Sequence, residues 1–141
     1  MAVNVLKERD GSIRDGVRMI PFSHASATAD TDAFRIWTVP AGRTFVITRV
    51  WYNNVTGLAT DASNYFTIKI ADGTAGNVAA SWSTLTGAEG TLTANTPVDF
   101  TLSATPALRN IDGGEHVTLF LDETGTATLP AGYGIIEGFL A

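Results

Sequence analysis

The chain has 141 residues, 45% of them hydrophobic, with no cysteine and a formal net charge of −5. That length suits one domain burying roughly 70% of its unfolded surface, and the apolar content excludes disorder of the whole chain. The missing cysteines exclude disulfides and thiolate metal sites, and the negative charge argues against a general nucleic-acid binder, which needs a basic face to neutralise phosphates.

Residues 1–16 read as an extended arm. Residues 1–18 hold Lys7, Arg9, Arg14 and Arg18 against Glu8, Asp10 and Asp15, a net of +1, whereas the other 123 residues carry five basic and eleven acidic groups, a net of −6. Arg9-Asp10-Gly11 and Arg14-Asp15-Gly16 repeat at a spacing of five, and Asp-Gly pairs favour turns over helix. Two readings stand: a solvated tail with loose turns, or an arm that orders on a partner through arginine–carboxylate contacts. The first residues lack the apolar stretch of a secretory signal, and no run approaches the roughly 20 apolar residues that cross a bilayer. The expectation is a chain made in the cytoplasm and not held in a membrane.

From Val17 the pattern is β. Strands are expected near Val17–Phe22, Phe34–Val39, Phe45–Asn53, Tyr65–Ala71, Ala80–Leu85, Val98–Leu102, Val117–Leu121 and Ile135–Leu140. Each is short, rich in Val, Ile, Thr and aromatics, and bounded by Gly, Pro, Asn, Asp or Thr. Asp72–Asn77, Asp112-Gly113-Gly114 and Asp122–Gly125 read as breaks. Val39-Pro40-Ala41-Gly42 and Leu129-Pro130-Ala131-Gly132 read as two copies of one type I turn, with Pro second and Gly fourth. No window offers an amphipathic helix. The expectation is an all-β, jelly-roll or Greek-key β-sandwich of about eight strands over residues 17–141.

Alternation assigns the faces. Phe66, Ile68 and Ile70 share one face, as do Val117, Leu119 and Leu121. The strand around residue 48 departs from this: Phe45, Ile47 and Trp51 lie on one side, Val46, Val50 and Tyr52 on the other. Phe120 and Tyr65 also oppose their strands' aliphatic rows. One sheet is therefore expected to be apolar on both sides. Either a loop (54–63 or 86–97) covers the outer face, or identical subunits pack there through Trp51, Tyr52 and Phe120.

Catalytic constellations are not found. A metal-dependent cupin needs several His and a carboxylate converging on one ion. This chain has only His24 and His116, and Glu115, beside His116, would point to the opposite face of a strand. There is no Gly-x-Ser-x-Gly elbow, and Ser63, Ser81, Ser83 and Ser103 fall in Thr/Ser/Ala-rich stretches. Asp30, Asp32, Asp122 and Glu123 read as solvated loop acids, not as a glycosidase pair, and neither Asp30–Asp32 nor Asp112–Glu115 has the spacing of an EF-hand. The glycines around Gly73–Gly76 lack the Lys-Thr/Ser that follows in a phosphate-binding loop. No enzyme, cofactor or metal is expected. Asn54-Val55-Thr56 matches a glycosylation sequon by chance.

The stretches Thr38–Ile47 and Leu129–Ile136, with loops rich in Thr, Ala and Gly and few Lys, resemble tailed-bacteriophage head decoration (capsid cement) proteins of jelly-roll type. The resemblance covers roughly residues 17–141. It implies a structural virion protein on the capsid exterior, a homotrimer bound to the major capsid protein, that stabilises the shell and leaves the cell by lysis. It further implies an arm lying across the shell, with Lys7, Arg9, Arg14 and Arg18 on acidic shell groups. Neither nucleic acid nor membrane is an expected partner. Three other readings stay open: a phage tail or fibre component, a carbohydrate- or receptor-binding sandwich using Trp82 near Asn77 or Tyr133, and a cupin-type enzyme.

Overall fold

The computed structural model describes residues 17–74 and 76–141, which form an all-β sandwich. In chain order the strands are β1 Val17–His24, β2 Thr31–Thr38, β3 Thr44–Asn54, β4 Gly57–Leu58, β5 Tyr65–Ala71 and β6 Val78–Ser83. They continue as β7 Leu92–Thr93, β8 Val98–Asp99, β9 Thr101–Leu102, β10 Asn110–Asp112, β11 His116–Thr124 and β12 Gly132–Leu140. One single-turn 3-10 helix, Pro106–Arg109, leads into β10.

The first sheet runs β1-β12-β3-β10, with β8 also on β3, and the second runs β2-β11-β5-β6-β9. The chain passes between the sheets repeatedly. β1 and β2 lie in opposite sheets, as do β2 and β3, and β11 and β12. The stretch expected as one strand at Val98–Leu102 divides at buried Phe100, so that β8 pairs with β3 and β9 with β6. Alternation delivers Phe45, Ile47, Phe66, Ile68, Ile70, Val117, Leu119, Leu121 and Ile136 to one shared core.

The two Pro-Ala-Gly stretches differ. Around Gly42 the turn is Pro40-Ala41-Gly42-Arg43, closed by Arg43 N–H donating to Pro40 O at 3.2 Å, with Gly42 at φ +76°. Positive φ at the third position is the type II signature, so the turn lies one residue later than the type I reading placed it. The second stretch makes no turn. Leu129 bridges Ala27, Ala131 O accepts from Val55 N–H, and the chain runs extended into β12.

A bulge in β3 corrects the face assignment. In the β3–β12 ladder Arg49 pairs Glu137 but Ile47 pairs Gly138, leaving Thr48 as an extra residue whose hydroxyl donates to Glu137 O at 3.2 Å. One inserted residue flips the alternation downstream. Phe45 and Ile47 before the bulge, and Val50 and Tyr52 after it, therefore all face the core, while Val46 and Trp51 share the outer side.

The inner side of β12 carries Gly132, Gly134 and Gly138, each placed over an aromatic ring. Cβ atoms there would meet Tyr52, Phe22 and Phe45 respectively, all at under 3 Å. Omitting three side chains makes room for the three rings. The loops expected as an outer cover do something else. β4 and β7 pair with each other, sending Leu92 into the core and packing half-buried Leu58 against it.

Candidate interface on the outer face of the first sheet

Strand register sets four rows across β1, β12 and β3: Val17–Phe139–Val46, Met19–Glu137–Arg49, Pro21–Ile135–Trp51 and Ser23–Tyr133–Asn53. Their side chains lie on the side opposite the buried alternate residues Ile20, Phe22, Ile136 and Leu140, and Asn53, 3% exposed, is the one of them that is covered. Exposure is 61% at Met19, 57% at Val17, 47% at Tyr133 and 41% at Phe139, four of the six most exposed large apolar residues described. Together these four expose on the order of 400 Å², within the range of the largest apolar patch on an ordinary monomer, and the area is divided between the two ends of the sheet.

Two features give the face shape. Trp51 and Tyr133 meet edge to face, with centroids 6.1 Å apart and planes at 77°. Beside them Pro21, Ser23 and Ile135 line an open, mostly apolar groove of about 480 Å³. A polar island interrupts the apolar rows, where Arg49 bonds Asp99 at 2.9 Å and Glu137 at 3.1 Å. Those carboxylates raise the Arg49 pKa above its ordinary value.

Beneath this face lies a closed polar chain. His24 ends β1, and its Nδ1 donates to Ala25 O at 2.8 Å, which leaves Nε2 to accept from the Tyr52 hydroxyl at 2.7 Å. Asn54 Nδ2 donates to the Tyr52 oxygen at 3.0 Å and to Pro130 O at 2.7 Å, while its Oδ1 accepts from the Thr56 and Gly57 N–H groups. His24 and Tyr52 stack at 5.7 Å. Burial lowers the His24 pKa against a smaller opposing effect of the Ala25 carbonyl, and burial pushes Tyr52 up to about 12.

The residues singled out in the sequence do not converge. Lys7, Arg9 and Arg14 lie outside the described residues. Arg18 sits on β1 opposite Gly138, with its guanidinium donating to Val17 O at 3.1 Å. Trp51 is on the outer face. Tyr52, expected beside it, is fully buried in the core, because the Thr48 bulge turns it inward. Phe120 lies on the second sheet opposite Lys69, out of reach of Trp51 on the first.

Asp122 and Glu123 are strand residues of β11, not loop acids. Asp122 pairs with Lys69, and the Glu123 N–H donates to Asp30 Oδ1 at 2.6 Å. His116 Nδ1 is hydrogen-bonded to the Thr38 hydroxyl at 2.9 Å. Among the described residues no three His, Asp or Glu side chains are grouped to hold a metal ion. Trp82 donates its indole N–H to Gly90 O and packs on the core, while Asn77 bonds Asp72 across the β5–β6 turn, so both are engaged internally.

The sequence reading took Met19 with Ile20 and Phe22 as anchors of the sandwich, whereas Ile20 and Phe22 are buried and Met19 is not; it did not single out Phe139, and it began the last strand at Ile135, short of Tyr133. The available signal was Gly132-x-Gly134 with Gly138, an alternation in which the large residues Tyr133, Ile135 and Phe139 take the opposite face. No family model matches the chain, and no curated protein matches it.

Proposed function

We propose that this chain is a structural virion protein that decorates and stabilises a phage capsid from outside, as a homotrimer on the major capsid protein. The observation that carries the reading is the apolar outer face of the first sheet. A sandwich with a filled core keeps Val17, Met19, Tyr133 and Phe139 in contact with water, which is unfavourable unless another molecule covers them. The interleaved order of the two sheets supports the jelly-roll form of the sandwich, and with it the resemblance to cement proteins.

The mechanism is mass action. Binding to the mature shell in preference to its disrupted form stabilises each site by about 2.7 kcal/mol at a free concentration a hundredfold above Kd. Many such sites together oppose the pressure of packed DNA. Lys7, Arg9, Arg14 and Arg18 are the proposed arm contacts to acidic shell groups. The test is to add purified chain to shells lacking it and follow their thermal disruption. A rise that saturates at a fixed stoichiometry supports the reading; an unchanged disruption temperature at saturating protein overturns it.

A second reading is favoured by the groove that the Trp51–Tyr133 pair borders together with Pro21, Ser23 and Ile135. An aromatic pair bordering an apolar groove suits a sugar ring or a receptor loop, which would make the chain a tail, fibre or glycan-binding module. Glycan-array binding that is lost in Tyr133→Ala, with the fold retained, would favour this reading over the first.

A further inference from the structure

We propose that His24 is an acid-operated latch, holding the C-terminal end of β1 to β3 while neutral and releasing it when protonated. The latch is independent of what the outer face binds.

The directions of the hydrogen bonds make it so. Asn54 cannot turn its amide round, because Oδ1 already serves the Thr56 and Gly57 N–H groups. Its NH₂ must therefore donate to the Tyr52 oxygen, and the Tyr52 hydroxyl must donate onward to His24 Nε2. The chain of donors ends at Nδ1–H and the Ala25 carbonyl. The neutral imidazole leaves every member of this chain paired. A proton on Nε2 makes it a second donor to the Tyr52 oxygen beside Asn54 and leaves the hydroxyl hydrogen without its acceptor inside the core, where an unpaired polar group is costly.

Among the described residues no charged partner bonded to the ring compensates the new charge. The titratable group packed on the ring is Tyr52, which stays neutral through the acid range. Asn54 from β3, Gly132 opposite His24 on β12, and Phe22 on its own strand carry no charge. Among the described residues no carboxylate or cation is hydrogen-bonded or ion-paired to the ring. Relief comes most directly by moving the ring to solvent. His24 is the last residue of β1 and already 7% exposed, so a short outward swing suffices. That motion gives up the Tyr52 bond and loosens an edge strand of the first sheet. The same strand presents Met19 and Pro21 on the outer face, so acid would loosen the candidate interface too.

The test is backbone hydrogen exchange between about pH 7.5 and pH 5, corrected for intrinsic rates, with NMR titration of the His24 ring. The expected ring midpoint lies below 6.5, and β1 amides lose protection relative to β5 and β6. The loss approaches tenfold for each pH unit below the titration of the unfolded imidazole and levels off once the folded-state ring is protonated. His24→Gln should abolish that acid sensitivity. If the Gln variant fails to fold, Tyr52→Phe serves: removing the hydroxyl that stabilises neutral His24 should raise the ring midpoint above that of the parent. Protection of β1 that does not change with pH, or an equal acid loss in His24→Gln, overturns the latch. So does a His24 midpoint unmoved by Tyr52→Phe.

Discussion

Substituting Gly132 by alanine tests the glycine-over-ring arrangement of β12 most sharply. The added Cβ would lie 2.5 Å from Tyr52 Cζ and 2.7 Å from Cε2, and closer still to the hydroxyl oxygen. All three nearest atoms belong to one side chain, and that side chain has nowhere to go. Tyr52 is fully buried, stacked with Phe22 at 6.4 Å and His24 at 5.7 Å, packed on Phe100 at 5.5 Å, and bonded at its hydroxyl to His24 and Asn54. Overpacking of a rigid core costs about 1–3 kcal/mol. Displacing the hydroxyl forfeits two hydrogen bonds at about 1 kcal/mol each. Against this, replacing Gly with Ala recovers about 0.4–1 kcal/mol through the unfolded chain. The net expectation is a loss of about 3 kcal/mol, or a Tm lower by about 10 °C for a domain of this size. Chemical and thermal unfolding followed by circular dichroism would measure it, with Gly76→Ala, where a Cβ meets nothing within 4 Å, as the control. In a Tyr52→Leu background the alanine should cost under about 0.5 kcal/mol, because its obstacle is gone. A Gly132→Ala protein as stable as the parent, or one equally destabilised in both backgrounds, would refute the reasoning.

The remaining predictions concern titration and the outer face. His24 has a folded-state pKa below the ordinary 6.5, so the unfolded chain binds its proton first as pH falls. Its contribution to stability is complete above that value and declines below it toward the folded-state pKa; urea unfolding at a series of pH values should show this, and His24→Gln should flatten it. Tyr52 is held up to about 12, so its contribution is intact below pH 10 and lost as pH rises from there toward 12. Ultraviolet titration should show Tyr52 ionising near the upper end of that range, at about 12, a step that Tyr52→Phe removes. Met19→Asp alters an outward residue and should shift stability by less than about 0.5 kcal/mol while abolishing association through the face, read by light scattering and shell binding. If the outer face makes a preformed trimer, the parent's mass in solution should be three times 14.9 kDa.

Strand existence was legible because the β-rich runs are bounded by strong breakers, and all eight expected segments carry strands. Alternation alone also found the inward rows of β5 and β11. It failed in β3, where the bulged residue is Thr48, a β-branched residue that looks like any other strand position. The ladder partner that skips it is ninety residues away, at Glu137–Gly138. Local pattern holds no trace of that partner, so Tyr52 was assigned to the wrong face. The second Pro-Ala-Gly failed for a related reason. Its backbone is engaged by Val55 and Asn54, and those tertiary bonds keep it extended where the dipeptide preference would turn it. β4, β7 and β10 are two or three residues long and owe their pairing to partners distant in sequence. The outer face was half legible. An apolar second side was anticipated and Trp51 lies on it, but the bulge turns Tyr52 inward and Phe120 belongs to the other sheet, while Met19, Tyr133 and Phe139 were not foreseen there.

The account's central claim is that the outer face of the first sheet is covered by other molecules in an assembled particle. Hydroxyl-radical footprinting of the free chain and of the same chain on phage shells tests it directly, reading oxidation at Met19, Tyr133 and Phe139 with Phe34 of the second sheet as reference. The account predicts strong protection of the first three on the shell, with Phe34 left reactive. Equal reactivity of Met19, Tyr133 and Phe139 in both states, at full occupancy of the shell, would contradict it.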